Sequence, residues 1–227
     1  MGIQERRIRE RDERKSLITQ YAKELILERG VEAVSMQDIA QKAELSKATL
    51  YLYFPSKEAI FEQMFNEAVA YFCEYVEPKL NAATSGIDAI RAIWMSYIEI
   101  FRSSQDIFVM FGLKNYFAPG FPFVSGSPER GDPPGPEMVN RLIARVLERG
   151  VTDGTLDPSI DPIKIAKTIL VIGSGIIDIV ARLPSNMRDS TLIISEMKST
   201  FEILLRGLAA PGTSRDMLTL PVRATKE

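Results

Sequence analysis

The chain has 227 residues, of which 45% are hydrophobic and 26% charged, and 28 lysines and arginines against 30 aspartates and glutamates give a net charge of −2. This composition is typical of a globular protein and does not by itself indicate a nucleic-acid partner. The sequence has no histidine and a single cysteine, Cys73, which excludes histidine catalysis, histidine metal ligands and an intrachain disulfide. We expect no cofactor and no metal site, and we interpret Cys73 as a core residue.

The N-terminal third has the pattern of several helices joined by short turns. Apolar residues at helical spacing predict an amphipathic first helix that ends at Gly30. Two short helices are predicted next, Met36–Ala43 and Lys47–Tyr53, and Ser35 and Ser46 stand at their N-cap positions. Helices this short are unstable alone, so they must pack on long neighbours. The arrangement is that of a helix-turn-helix, whose second helix enters the DNA major groove.

The segment 34–58 resembles the DNA-binding signature of tetracycline-repressor-type (TetR family) regulators. The runs VSMQDIA at 34–40 and LSKATLYLYFPSKE at 45–58 carry the resemblance, and the ending YxYFxSKE is its most specific part. Ala48 stands where the family often has glycine. The resemblance implies an all-α protein. It would have an N-terminal three-helix helix-turn-helix DNA-binding domain and a C-terminal helical bundle for ligand binding and dimerisation.

Residues of this segment are candidate DNA contacts of two kinds. Side chains at the start and on the outer face of the second short helix are placed to read base edges, whereas hydroxyls and an ammonium are suited to phosphates. The base-reading candidates are Lys47, Ala48, Thr49 and Leu52, and the phosphate-binding candidates are Ser35, Ser46, Tyr51, Tyr53 and Lys57. Three of them also fit plainer roles: Tyr51 as half-buried packing, Ser35 as a helix cap and Lys57 as a solvated charge.

The arginine-rich stretch 6–15 leaves two interpretations open. Its basic side chains can reach adjacent phosphates or the minor groove. Acidic residues interrupt it, however, so the alternative is a solvated helical extension with internal ion pairs. The basic residues are Arg6, Arg7, Arg9, Arg11, Arg14 and Lys15, and the acidic ones are Glu5, Glu10, Asp12 and Glu13.

The rest of the chain is predicted to be helical, with a Pro- and Gly-rich loop at 118–136. A long helix begins after Ser56 and is expected to fade near Pro78. The later helices are predicted at Ile87–Arg102, Asp106–Tyr116, Glu137–Arg149, Pro162–Leu183 and Asp189–Leu208. We divide the chain into a DNA-binding domain (1–57), an effector-binding and dimerisation domain (58–210) and a flexible tail (211–227).

Aromatic residues on two consecutive helices form a candidate effector pocket, although they also fit an ordinary core. In the family that the sequence resembles, this region encloses an effector. A pocket of this kind favours a hydrophobic or aromatic small molecule, with Arg102, Glu99 or Asn115 available to orient it. The candidate lining residues are Trp94, Tyr97, Phe101, Phe108, Phe111 and Tyr116. The carboxylates of the region are scattered, so we expect no enzyme.

The last two helices carry apolar stripes that suit self-association. The stripes at 165–180 and 193–205 predict a four-helix bundle across a two-fold homodimer, or alternatively the closure of the monomer core. We expect a repressor on a palindromic site of double-stranded DNA, released when an effector pivots the long helix 57–76. The alternatives are an activator with the same helix-turn-helix and a helical adaptor protein. No apolar window suits a membrane span and no secretory signal is recognisable, so we expect a cytoplasmic protein.

Overall fold

The computed structural model describes residues 2–114, 134–183 and 190–221, and these ranges are almost entirely helical. The elements are α1 (Ile3–Arg29), α2 (Met36–Lys42), α3 (Lys47–Tyr53), α4 (Lys57–Ala82), α5 (Gly86–Ser103), α6 (Gln105–Gly112), α7 (Pro134–Thr152), α8 (Pro162–Arg182), α9 (Ser190–Leu208) and a 3-10 helix (Arg215–Leu218). The all-α prediction is confirmed. Among the described helices, none combines the length and the apolarity that a membrane span requires.

The first three helices close around a small apolar core, to which the start of α4 and part of α6 also contribute. Ile39 of α2 and Leu50 of α3 are fully buried, which stabilises two helices too short to persist alone. Ala40 is also fully buried, and its small side chain allows α2 and α3 to approach closely. The turn between them places Glu44 at φ 54, in the left-handed region that non-glycine residues seldom adopt.

Helices α4 to α9 build a second, larger core around α5. Trp94 of α5 stacks on Phe201 of α9 with ring centroids 5.3 Å apart, and Tyr97 meets the same ring edge-on at 5.4 Å. Cys73 is buried in this core, as predicted, and burial is the main cause that raises its pKa to about 11. A neutral, buried thiol behaves as a small apolar side chain.

One end of the larger core is tied together by a group of contacts that we call the far-end cluster. It comprises Gly86, Gly150, Arg149, Asp153 and Ala83. A Cβ added to Gly86 would lie 2.1 Å from the Cα of Gly150, so these backbones touch where α5 crosses α7. The N–H of Gly86 donates to the Asp153 carboxylate at 2.7 Å, and the Arg149 guanidinium donates to the Ala83 carbonyl at 2.7 Å.

Two predictions about helix and tail boundaries are wrong. Helix α4 continues through Pro78 to Ala82. The proline is exposed, so water can satisfy the carbonyl that its missing N–H leaves unbonded. Residues 211–221 are not a flexible tail, because Leu220 is buried and its N–H donates to Glu202 at 2.9 Å. Arg91 also donates to the Thr219 carbonyl at 3.1 Å.

Candidate DNA interface and effector cavity

Helix α3 presents one exposed face. Leu50 points into the core and is 0% exposed, whereas Leu52 is 72% exposed and Tyr51 44% exposed. Lys47 and Ala48 are exposed beside them, one turn earlier. The structure thus brings four of the sequence-predicted contacts together on the exposed side of α3.

The other predicted contacts on α2 and α3 are partly engaged within the domain. Ser46 accepts a hydrogen bond from the Thr49 N–H at 3.0 Å, and the two hydroxyls are 2.8 Å apart. Ser35 accepts from the Asp38 N–H at 3.2 Å, and its own N–H and hydroxyl both donate to the Asp38 carboxylate. These bonds hold the pKa of Asp38 below its ordinary value, the side chain of Ser35 having the largest effect. Both serines are therefore helix caps.

Lys57 and Tyr53 lie further from the exposed face of α3. Both are half-buried. The Lys57 ammonium donates to the carbonyl of Val34 at 3.0 Å and to that of Val31 at 3.5 Å. It also lies 5.5 Å from the ring centroid of Phe61. These contacts join the start of α4 to the segment between α1 and α2, so the ammonium has a structural role.

The arginine-rich stretch is the N-terminal half of α1. Ion pairs join Arg6 to Glu10 at 2.7 Å and Arg9 to Glu13 at 3.6 Å, which confirms the helical extension with internal ion pairs. The structure adds one contact that the sequence did not predict. Arg11 donates to the carbonyl of Leu52 at 3.1 Å. The extension therefore runs beside α3.

A largely apolar cavity of about 110 Å³ opens between α4, α5, α6, α7, α8 and α9. Three predicted residues line it: Trp94, Tyr97 and Phe111. Phe101 and Phe108 do not, and this part of the prediction is wrong. Both are 0% exposed. Phe108 packs edge-on against Tyr97 and Phe101, at 4.8 and 5.1 Å between ring centroids, so the two rings fill the core behind the wall.

The polar residues proposed to orient an effector are placed differently from the prediction. Glu99 accepts from the Tyr75 hydroxyl at 3.0 Å and pairs with Lys79, and it does not line the cavity. Arg102 is exposed at the end of α5 and is likewise absent from the wall. Tyr116 and Asn115 lie outside the described residues.

Sequence reasoning missed several lining residues. Phe65, Val69 and Phe72 of α4 face the cavity, although their helical spacing indicated only a core stripe. On α8, the Gly173 carbonyl accepts from the Tyr97 hydroxyl at 2.9 Å, and burial raises the pKa of Tyr97 well above its usual value. The small residues at 173–175 were a usable signal, because small side chains leave room. Lys114 also lines the cavity at 8% exposure.

Helix α6 belongs to both cores. Three residues at the C-terminal end of α6 are buried with residues of α1 and α4 in the core of the DNA-binding domain. They are Val109, Met110 and Leu113. Phe111 packs against both cores and also lines the cavity. An ion pair between Lys23 of α1 and Asp106 of α6 adds a polar tie. A displacement of the cavity wall at α6 therefore also displaces the support of the helix-turn-helix.

The predicted association stripes divide between core and surface. Met197, Phe201 and Leu205 of α9 are buried inside this chain, as are Ile169 and Val180 of α8, so much of each stripe closes the monomer core. Other apolar residues of the same two helices remain exposed by 60–66%. They are Ile163, Ile179, Leu192 and Ile203.

Comparisons with known proteins agree with the resemblance in the sequence. The profile described as "Bacterial regulatory proteins, tetR family" matches residues 18–64. The HTH-type transcriptional repressor KstR2 of Mycolicibacterium smegmatis is 24% identical over 151 residues, which are 65% of this chain and 70% of that protein.

Solved structures share the fold over most of their length. A TetR-family transcriptional regulator from Pectobacterium atrosepticum is 20% identical, with a TM-score of 0.66 over 88% of this chain and 96% of that one. The regulator FadR from Bacillus subtilis, in complex with stearoyl-CoA, is 18% identical, with a TM-score of 0.66 over 85% of this chain and 98% of that one. The helix-turn-helix segment at 18–64 therefore belongs to the tetR family of bacterial regulatory proteins, and the chain as a whole shares its fold with a solved TetR-family regulator.

Proposed function

We propose that the chain is a homodimeric, DNA-binding transcriptional repressor that a small apolar effector releases from a palindromic site. The observation that carries this proposal is the position of α6, which shares one core with the helix-turn-helix and lines the cavity with Phe111. A ligand in the cavity then acts on the DNA-reading helix without touching it.

Base reading is assigned to the exposed face of α3. Lys47, Ala48 and Leu52 extend from that face, with Thr49 at its edge. A threonine or alanine methyl and the Leu52 side chain suit the thymine methyl, and an ammonium suits guanine acceptors. We assign phosphate contacts to Tyr51 and Tyr53 in the last turn of α3 and to Ser35 and Ser46, which cap α2 and α3. Lys57 positions the domain.

Dimerisation is assigned to the exposed apolar residues of α8 and α9. Isolated exposed isoleucines are common, but Leu192 and Ile203 are eleven residues apart and so share one face of α9, and Ile179 is exposed on α8. Burying them against a second copy removes this surface from water and forms a four-helix interface. A two-fold dimer presents two copies of α3, which fit successive major grooves when their spacing is about 34–36 Å.

The DNA is released because the effector prefers one of two distances between the two copies of α3. A ligand that binds more tightly when α4 and α6 are displaced favours the conformation in which the two copies of α3 no longer match the grooves. Repression is assigned from the similarity to KstR2, which is named as a repressor. An activator uses the same DNA contacts, so the sign of regulation is read from transcription in a deletion strain.

The division of the chain into a DNA-binding domain at 1–57 and an effector and dimer domain beyond it remains our proposal. Communication between the two is supported by the smaller core, to which α4 and α6 both contribute residues. We also assign the protein to the cytoplasm, where its DNA target lies, and we assign it no enzymatic activity.

Binding to duplex DNA tests the proposal. Fluorescence anisotropy with fragments from upstream of its own gene should give an affinity whose logarithm falls linearly with the logarithm of salt concentration. Light scattering should give a dimer in the same buffer. A protein without duplex affinity at low salt would be the helical adaptor of the alternative interpretation, and a monomer that binds single half-sites would contradict the palindrome.

A further inference from the structure

The N-terminal half of α1 has two faces that differ in charge. Arg6 and Arg9, which pair with Glu10 and Glu13, lie on one side of the helix together with all the acidic residues of the stretch. The other basic side chains fall within an arc of about 100°, at about 100° per residue, and this arc contains no acidic residue. They are Arg7, Arg11, Arg14 and Lys15. The ion pairs therefore neutralise one face of the extension and leave a second, basic face.

This basic face is turned toward α3. Further along α1 the same side of the helix carries Ile18, seven residues after Arg11, and Ile18 is fully buried in the core of the DNA-binding domain. Two contacts agree with this orientation. Arg11 donates to the carbonyl of Leu52 at 3.1 Å, and the Lys15 ammonium lies 5.5 Å from the ring centroid of Phe54. The basic face thus adjoins the C-terminal end of the DNA-reading helix.

Arg7 and Arg14 are the members of the basic face that remain available to a partner. They lie about one turn before and one turn after Arg11, and both are exposed. No ion pair or side-chain hydrogen bond joins either of them to a residue that the structure describes. Along the helix axis they are about 10 Å apart, which corresponds to about three base-pair steps of a DNA duplex. A guanidinium group is well suited to phosphate, because its N–H groups can bind two phosphate oxygens at once.

We propose that Arg7 and Arg14 bind backbone phosphates beside the bases that α3 reads, so that the extension of α1 is a second contact with the duplex. This inference rests on the proposed function and enlarges its DNA interface. The two contact surfaces are continuous, because Leu52, whose carbonyl accepts from Arg11, is itself 72% exposed on the outer face of α3. Phosphate contacts of this kind add affinity and fix the register of the protein on the duplex, but they carry no sequence information.

Variants that remove charge from each face test the proposal with duplex fragments from upstream of the gene. Arg7→Gln with Arg14→Gln should reduce the slope of log affinity against log salt by about 1.8 for each bound protomer, since each phosphate contributes about 0.9. The matched control is Arg6→Gln with Arg9→Gln, which removes the same charge from the other face of the same helix and should change the slope little. Arg7→Lys with Arg14→Lys keeps both charges and should keep the wild-type slope.

Phosphate ethylation interference locates the contacts on the duplex. In the wild-type complex, ethylation of phosphates outside the bases read by α3 should weaken binding. In the variant with Arg7→Gln and Arg14→Gln, these outer positions should no longer matter, whereas the phosphates next to α3 should remain sensitive. A purely structural role of the two arginines would not remove the outer positions selectively.

Either of two results would overturn the inference. One is a salt slope of the variant with Arg7→Gln and Arg14→Gln that equals the wild-type slope, or that falls no further than the slope of the control. The other is an interference pattern that lacks the outer phosphates in the wild type, or that keeps them in the variant. Both results are obtained with a wild-type protein that binds duplex DNA. A wild-type protein without duplex affinity at low salt would instead contradict the proposed function.

Discussion

Replacing Lys57 by methionine distinguishes a structural ammonium from one that binds phosphate. The structure gives this ammonium one hydrogen bond of ordinary length, 3.0 Å to the carbonyl of Val34, and a long one of 3.5 Å to Val31. A hydrogen bond from a charged donor contributes about 1.5–3 kcal/mol, and half-burial places this one near the lower end. We expect Lys57→Met to lower the free energy of unfolding by about 1–2 kcal/mol.

Thermal denaturation and salt-dependent DNA binding measure the two roles separately. For a chain of this size the destabilisation corresponds to a fall in melting temperature of roughly 2–8 °C, and the slope of log affinity against log salt should stay unchanged. The matched control is Lys47→Met on the exposed face of α3. It should leave the melting temperature alone and weaken duplex binding, because its ammonium lies on the base-reading face of α3. A flattened slope for Lys57→Met at an unchanged melting temperature would refute the structural assignment.

Three further predictions concern packing, association and pH. Gly86→Ala should cost about 1–3 kcal/mol or more, because its methyl group would lie 2.1 Å from the Cα of Gly150; an unchanged melting temperature would contradict the close crossing. Ile203→Lys, at a site 65% exposed, should leave the helical circular dichroism intact and give monomers by light scattering, and a persisting dimer would move the interface elsewhere. The pKa of Asp38 lies below its ordinary 3.8, so the stabilisation from its bonds with Ser35 is present at neutral pH and disappears as the pH falls through that lowered pKa. Ser35→Ala should raise the pKa of Asp38 toward 3.8 in an NMR titration. An unchanged pKa would mean that another group lowers it.

The helix-turn-helix was predictable because its signals are local. The capping serines and Gly30 mark the ends of helices within a few residues of sequence, and α3 has the predicted bounds, Lys47–Tyr53. The role of Lys57 was not predictable in this way. Its acceptors, Val31 and Val34, precede it by 26 and 23 residues, and only the folded domain brings them together.

The cavity shows the limit of periodicity as a guide. Trp94 and Phe101 are seven residues apart on α5. Trp94 lines the cavity, whereas Phe101 packs against Phe108 and does not line it. Helical spacing identifies the apolar face of a helix, but it does not say whether a neighbouring helix touches that face or leaves a gap. The sequence did not place Lys114 at the cavity for a related reason, because a single charged residue ordinarily predicts a side chain exposed to solvent.

The far-end cluster holds the C-terminal end of α4 in place, so a rotation of the helix about that end displaces its start the most. Its backbone contact and its hydrogen bonds hold Gly86 and Ala83, at the start of α5 and the end of α4, against α7 and the residues that follow it. Val69 lines the cavity and lies 13 residues from Ala82 and 12 from Lys57. At 1.5 Å per residue, it is therefore about 18–20 Å from either end of α4. A rotation about the fixed end that moves Val69 by about 1 Å therefore moves the start of α4 by about 2 Å. The same length of helix that separates ligand from DNA doubles the displacement between them.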